Sequence, residues 1–277
     1  MSVGARILSD GRFEFPNVAP GEYVIQANRG RRNHWTEGEF AALRVMVNGD
    51  DVRSLVLQTS AGSSITGHFR FDTADPSKTP PVSALELTPE PADFDLSPSN
   101  NLATAEIGAD WAFRIAGIDG PRRLQLTRAP AGWALDRIFV DGIDITDQPL
   151  PFGGPDQSLT AVEVVLTDRI TQLAGTVADD HGVPAAGGVV ILFSSDGTRW
   201  YPGSRFLRKT GLRADGAFAV TGLPAGTYHA AAVAQVPNLG PDEWQDPELL
   251  ESLIFGASTV SLAEGQSTTV NLRLSSQ

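Results

Sequence analysis

Asp10-Gly-Arg-Phe-Glu-Phe-Pro-Asn-Val-Ala-Pro-Gly-Glu-Tyr-Val-Ile-Gln-Ala27 returns late in the chain as Asp215-Gly-Ala-Phe-Ala-Val-Thr-Gly-Leu-Pro-Ala-Gly-Thr-Tyr-His-Ala-Ala-Ala232. A more diverged copy is Asp110-Trp-Ala-Phe-Arg-Ile-Ala-Gly-Ile-Asp-Gly-Pro-Arg-Arg-Leu-Gln-Leu126. Copies that begin at residues 10, 110 and 215 define a period of roughly a hundred residues, the size of one small β-sandwich. Asp-Gly makes a tight turn, because glycine tolerates positive φ. Phe13 and Phe15, Phe113 and Ile115, and Phe218 and Val220 then occupy alternate positions, the period of a half-buried strand. Pro20-Gly21 and Pro224-Ala225-Gly226 turn the chain again, and Tyr23, Ile25 and Ala27 line one face of the returning strand, as do Tyr228, Ala230 and Ala232. Each copy is a hairpin or a hairpin-like corner.

Two further repeats frame this one. Ile65-Thr-Gly-His-Phe-Arg-Phe71 and Leu173-Ala-Gly-Thr-Val-Ala-Asp179 both place a glycine early in a strand, and a second strand follows at Val82–Leu87 or Val189–Phe193. Val47-Asn-Gly-Asp-Asp-Val52 is similar to Val140-Asp-Gly-Ile-Asp-Ile145, each leading to a closing strand, with Leu55–Leu57, Val162–Leu166 and Val270–Leu274 as the three closing strands. The expected organisation is a partial module at 1–60 that lacks its opening strands, a complete one at 61–168 and a complete one at 169–277. Almost no linker separates them, which implies limited hinge freedom. One helix is expected, at 247–254, with Asp246 as its cap, Pro247 in the first position and Glu248 in the first turn. Residues 89–109, rich in Ser, Pro, Asn and Asp, read as a long loop. The fold class is all-β: tandem antiparallel sandwiches with one short helix.

Composition agrees and excludes several functions. The 277 residues include 28 Gly and 19 Pro, a density of turn formers that suits many short strands. Asp and Glu number 33 against 21 Lys and Arg, a formal charge of −12, so generic binding to nucleic acid or an anionic membrane is not expected. There is no cysteine, hence no disulfide, thiol nucleophile or thiolate metal site. No apolar run reaches the length of a membrane span, and Met1-Ser-Val-Gly-Ala-Arg6 has no apolar core of a signal peptide.

Leu173-x-Gly-x-Val177 with Gly182-x-Pro184, followed by Asp215-Gly-x-Phe218 and Leu223-Pro-x-Gly-x-Tyr228, resembles the carboxypeptidase regulatory-like domain. Asp141-Gly-x-Asp-x-Thr-Asp147, Leu166-Thr-Asp-Arg169, Trp200-Tyr-Pro-Gly-Ser-Arg205 and Glu243-Trp-Gln-Asp-Pro-Glu-Leu249 are similar to large bacterial proteins that carry such domains in tandem. The resemblance implies a Greek-key, transthyretin-like sandwich of the carbohydrate-binding-like group. It also implies a non-catalytic module of a bacterial envelope or secreted protein, with further modules upstream. Fold alone assigns no task.

Tests for chemistry return little. His34-Trp-Thr-Glu37 has the spacing of a metallocarboxypeptidase zinc pair, but Arg29, Arg31 and Arg32 beside it disfavour a divalent cation. Asp141, Asp144 and Asp147 could offer oxygens to calcium, yet residues three apart on a strand point to opposite faces, and a turn at Asp141-Gly142 explains them. Asp93 and Asp95 fall in the long loop with the same explanation. Neither a Gly-x-Ser-x-Gly elbow nor a phosphate-binding glycine loop occurs. A Lys–Asn isopeptide crosslink is not expected, since Lys78 and Lys209 are the only lysines and neither lies in Leu173–Val177, although Asn271 is on a last strand. What remains is aromatic. Trp200, Tyr201, Arg205, Glu243 and Trp244 are the candidate ligand-binding residues, for a polysaccharide stacking on the rings or a protein partner; the alternative is that Trp200 and Trp244 pin the helix to the sandwich. The expected function is a structural or interaction segment with no cofactor and no metal, the alternatives being a carbohydrate-binding module or an accessory region of a larger enzyme or outer-membrane receptor.

Overall fold

The computed structural model describes residues 4–29, 39–93, 104–152, 157–235 and 243–275. Strands dominate, and Pro247–Leu253 is the one α-helix among the described residues, as expected. Asp246 caps it by accepting from the backbone N–H groups of Glu248 (2.8 Å) and Leu249 (3.3 Å).

Seven strands build the C-terminal sandwich: Gln172–Ala178, Val189–Ser194, Leu207–Gly211, Ala217–Thr221, Gly226–Val233, Ser258–Leu262 and Ser267–Ser275. Leu207–Gly211, Val189–Ser194, Gly226–Val233 and Ser258–Leu262 lie side by side, each pair antiparallel. Ala217–Thr221 is antiparallel to Gln172–Ala178. The expectation of antiparallel pairing stops there. Gln172–Ala178 runs parallel to Ser267–Arg273, and the end of the same last strand, at Leu274 and Ser275, is parallel to Ala232 and Val233. Parallel neighbours need a long crossover instead of a hairpin, and the five strands between the first and last supply it.

The two sheets enclose one core. Leu173, Val177, Phe218 and Leu272 on one side meet Val190, Leu192, Tyr228 and Val260 on the other. Ile191 and Phe193, pointing the opposite way from Val190 and Leu192, join Ala231, Val233, Trp244, Leu250 and Leu253 in a second buried cluster beneath the helix. Both faces of Val189–Ser194 are therefore covered, which accounts for its unbroken apolar run.

The repeated residues do the same work in each copy. Asp10, Asp110 and Asp215 each accept from the backbone N–H two residues on, at 3.1, 3.2 and 3.1 Å. Tyr23 and Tyr228 each donate their hydroxyl to the carbonyl four residues back, Ala19 at 2.9 Å and Pro224 at 2.7 Å. Gly67 and Gly175 lie against the closing strands: a Cβ there would sit 2.0 Å from the Val162 carbonyl oxygen and 1.8 Å from that of Val270.

In the middle of the chain Ser63–Asp72 pairs antiparallel with Ala112–Ile118, and Ala134–Val140 with Leu159–Thr167. Glu86–Pro91 and Arg122–Arg128 form a separate pair. The strand expected from Val82 begins only at Glu86; Val82–Ala84 is a 3₁₀ turn entered from Pro81, whose ring fixes φ at −65°. Further upstream, Gly21–Arg29 and Glu39–Val47 make a two-stranded antiparallel sheet, and Arg6–Ile7 pairs with Phe13–Glu14. The closing strand expected at Leu55–Leu57 does not form; a single bridge between Phe40 and Ser60 is what remains. The C-terminal closing strand forms on Gln172–Ala178, and no described strand takes that place here.

The chain divides into two compact units, Met1–His68 with Leu87–Gln125 and Val140–Val162, and Phe69–Glu86 with Leu126–Phe139 and Glu163–Gln277.

Candidate functional site

The aromatic candidates come together on the outer face of the C-terminal sandwich. Asp196 ends the Val189–Ser194 strand with a short turn, its carboxylate accepting from the Thr198 N–H at 3.0 Å and the Thr198 hydroxyl at 2.6 Å. Those bonds hold the Asp196 carboxyl below the usual carboxylate range. The turn brings Trp200 back over Phe193, edge to face at 5.5 Å, and the indole N–H donates to the Ser194 carbonyl at 2.7 Å. From the other loop, Gln245 accepts from the Gly203 N–H at 2.7 Å and so ties the two segments together. Trp244 is 9% exposed, packed with Leu250 and Leu253 against Ile191 and Phe193, and the Lys209 ammonium lies 5.2 Å from its ring centre. Trp200 and Tyr201 are half-buried and Glu243 is exposed.

Arg205 points elsewhere. Its guanidinium donates to the backbone carbonyls of Leu135 (2.7 Å) and Asp136 (3.3 Å) on the Ala134–Val140 strand. A second arginine completes this connection. Arg169, in the four residues between Thr167 and Gln172, donates to both Asp72 oxygens and, at 2.8 Å, to Glu264 in the turn before the last strand. Arg169 raises its own pKa by these bonds and holds the Asp72 carboxyl down, while burial pushes the neighbouring Asp136 up. All of these residues belong to the second compact unit. Sequence reasoning assigned Arg205 to a ligand and gave Arg169 no role. The signals for Arg169 were its place in so short a link and in the Leu166-Thr-Asp-Arg169 stretch, and neither named its partners.

The acids considered for calcium make turns. Asp141 and Asp147 adopt left-handed backbone, φ 50° and 63°, which aspartate tolerates, and Asp144 accepts from the Thr146 N–H at 2.9 Å and hydroxyl at 2.6 Å. Asn271 accepts from the Thr176 hydroxyl at 3.0 Å. His34, Glu37 and Asp95 lie outside the described residues. Among the described residues no cluster of three or more metal-type side chains occurs, and no helix is long and apolar enough to cross a membrane.

No family model matches the chain, and no curated protein does. Solved structures similar to it include a streptococcal ancillary pilin, 14% identical over 92% of this chain and 76% of that one, with a TM-score of 0.29. The major pilin subunit BcpA of Bacillus cereus is 8% identical over 76% of this chain and 99% of that one, with a TM-score of 0.28. The TIE protein of Bacillus anthracis is 13% identical with a TM-score of 0.27; the alignment covers 96% of this chain, which spans 43% of that protein. At such scores these likenesses carry no weight for the task of the chain.

Proposed function

We propose that this chain is a non-catalytic structural segment of a bacterial envelope or secreted protein, made of sandwich modules divided near residues 61 and 169 and held at their joint. The envelope setting and the carboxypeptidase regulatory-like identity of the modules follow from the sequence resemblance. The observation that carries the structural reading is the joint itself: Arg169 takes Asp72 and Glu264 while Arg205 takes two carbonyls of Ala134–Val140. A charge-assisted network that crosses a four-residue link restricts it as a free hinge would not be restricted. A carbohydrate-binding reading draws no support from Trp244, whose ring lies under the helix, or from Trp200, whose N–H already has an acceptor.

The experiment is hydrogen exchange on the intact chain and on Arg169→Ala combined with Arg205→Ala. In the parent, the Ala134–Val140 amides and those of the C-terminal sandwich should open in one cooperative step; in the double variant they should separate. Independent opening in the parent, or saturable quenching of tryptophan fluorescence by a soluble polysaccharide, would overturn the proposal.

A further inference from the structure

The strand Glu39–Val47 ends in a turn built on Asn48-Gly49. Asn48 is the one asparagine of eight that precedes a glycine. Asn48, Gly49 and Asp50 are all exposed. Among the described residues, the Asn48 carboxamide and the Gly49 backbone N–H make no hydrogen bond. Gly49 sits at φ 97°, and a Cβ built there would meet nothing within 4 Å. The peptide unit between the two residues therefore has room to swing, since glycine crosses φ regions that other residues avoid. Elsewhere the chain puts aspartate before glycine, at Asp10, Asp119, Asp141, Asp196 and Asp215. Three of these carboxylates are tied down: Asp10 by the Arg12 N–H and Nε, Asp196 by the Thr198 N–H and hydroxyl, and Asp215 by the Ala217 N–H. Asp119 is half-buried. A carboxylate is in any case a poor target for an amide nitrogen, because its negative charge repels the nucleophile. The neutral carboxamide of Asn48 has neither protection.

We infer that Asn48-Gly49 is a site of spontaneous covalent modification, at which the folded chain converts its own asparagine to aspartate and isoaspartate. The Gly49 backbone nitrogen attacks Cγ of Asn48. The new N–Cγ bond forms, the Cγ–Nδ2 bond breaks, and Nδ2 leaves as ammonia, carrying the proton from the Gly49 N–H. Water then opens the resulting succinimide ring. Opening at Cγ restores the ordinary peptide link as aspartate; opening at the backbone carbonyl carbon leaves the main chain running through Cβ and Cγ as isoaspartate. Water is the only co-reactant, and nothing is oxidised or reduced. Either product places a new negative charge beside Asp50 and Asp51. Isoaspartate also lengthens the main chain between Val47 and the bridge of Phe40 with Ser60.

The test is incubation of the full chain in warm, mildly alkaline buffer, followed by tryptic mapping. Cleavage after Arg44 and Arg53 isolates Val45–Arg53, which contains no other asparagine. That peptide should give two new forms, each heavier by the exchange of ammonia for water. The isoaspartate form should accept a methyl group from S-adenosylmethionine when treated with an isoaspartate methyltransferase. An open turn offers little protection, so the folded chain should convert within about tenfold of the rate of the same chain unfolded in urea. Asn48→Gln, whose longer side chain would have to close a six-membered ring, should fold and lose the reaction. The inference is overturned if Val45–Arg53 stays intact while the unfolded chain converts, or if folding slows the reaction more than about tenfold. It is equally overturned if isoaspartate forms first at one of the Asp-Gly pairs or at another asparagine.

Discussion

Gly67 and Gly175 were visible in the sequence only as a coincidence of position, and the structure gives the reason. Each brings the backbone of one strand against a carbonyl of the closing strand, where a methyl group has no room. Gly175→Ala should therefore push Gln172–Ala178 away from Ser267–Ser275, at a cost of about 3 kcal/mol in urea unfolding, the upper range for overpacking. Arg122 is the opposite case, a buried charge that composition does not reveal. It is 2% exposed, donates to the carbonyls of Asp119 (2.7 Å) and Pro89 (3.4 Å), and keeps one terminal nitrogen buried without a hydrogen-bond partner. Burial lowers its pKa against the pull of Asp119 and Glu90. Arg122→Met leaves those carbonyls and the part-buried Asp119 uncompensated, so it should lower the unfolding free energy by about 3 kcal/mol in urea unfolding. Turn aspartates and the repeated tyrosine were legible because their bonds close within two to four residues.

At the level of elements, the helix is held from both ends of its own sequence. Asp246 caps it, and Leu250 and Leu253 set it against Ile191 and Phe193 with Trp244 beside them. Trp244→Ala should cost about 3–5 kcal/mol, as large aromatic truncations in cores do, and should leave polysaccharide titrations flat. Asp246→Ala should cost about 1 kcal/mol, measured by the same thermal or urea unfolding. Alternation revealed the strands and the cap revealed the helix, since both are local patterns. Strand direction was not legible. A period of two is the same read forwards or backwards, so nothing in Leu173–Val177 or Val270–Leu274 announced that they run parallel. Which bond would join the Trp200 and Trp244 loops was equally silent, because Gly203 and Gln245 meet only after the sheet has formed.

At the scale of the whole chain, the joint around Arg169 has a pH signature. The Asp72 carboxyl is held down chiefly by its bond with Arg169, so its contribution is present above the ordinary carboxylate range and is lost as pH falls through its depressed value. Asp136, pushed up by burial beside Arg137, Glu264, Asp72 and Arg205, acts in the other direction and favours the folded state on its protonated side. Arg169→Ala should remove the acid-side loss linked to Asp72, leaving a shallower stability decline between neutral and strongly acidic pH. Calorimetry across that range checks it. The partners of Arg169 lie 95 and 97 residues away in sequence, which is why a reading of local patterns passed over it.

The parallel pairing of first and last strands has a mechanical side. Gln172–Ala178 and Ser267–Arg273 are in register over seven residue pairs, and the chain enters at one end of this ladder and leaves at the other. Tension applied through the two ends of the sandwich therefore drags the strands past each other along their length. Their evenly spaced bonds bear the load at the same moment instead of parting one by one. Pulled in that direction the sandwich resists as a shear joint; pulled across the ladder, for example from Thr176 and Asn271, it opens like a zip.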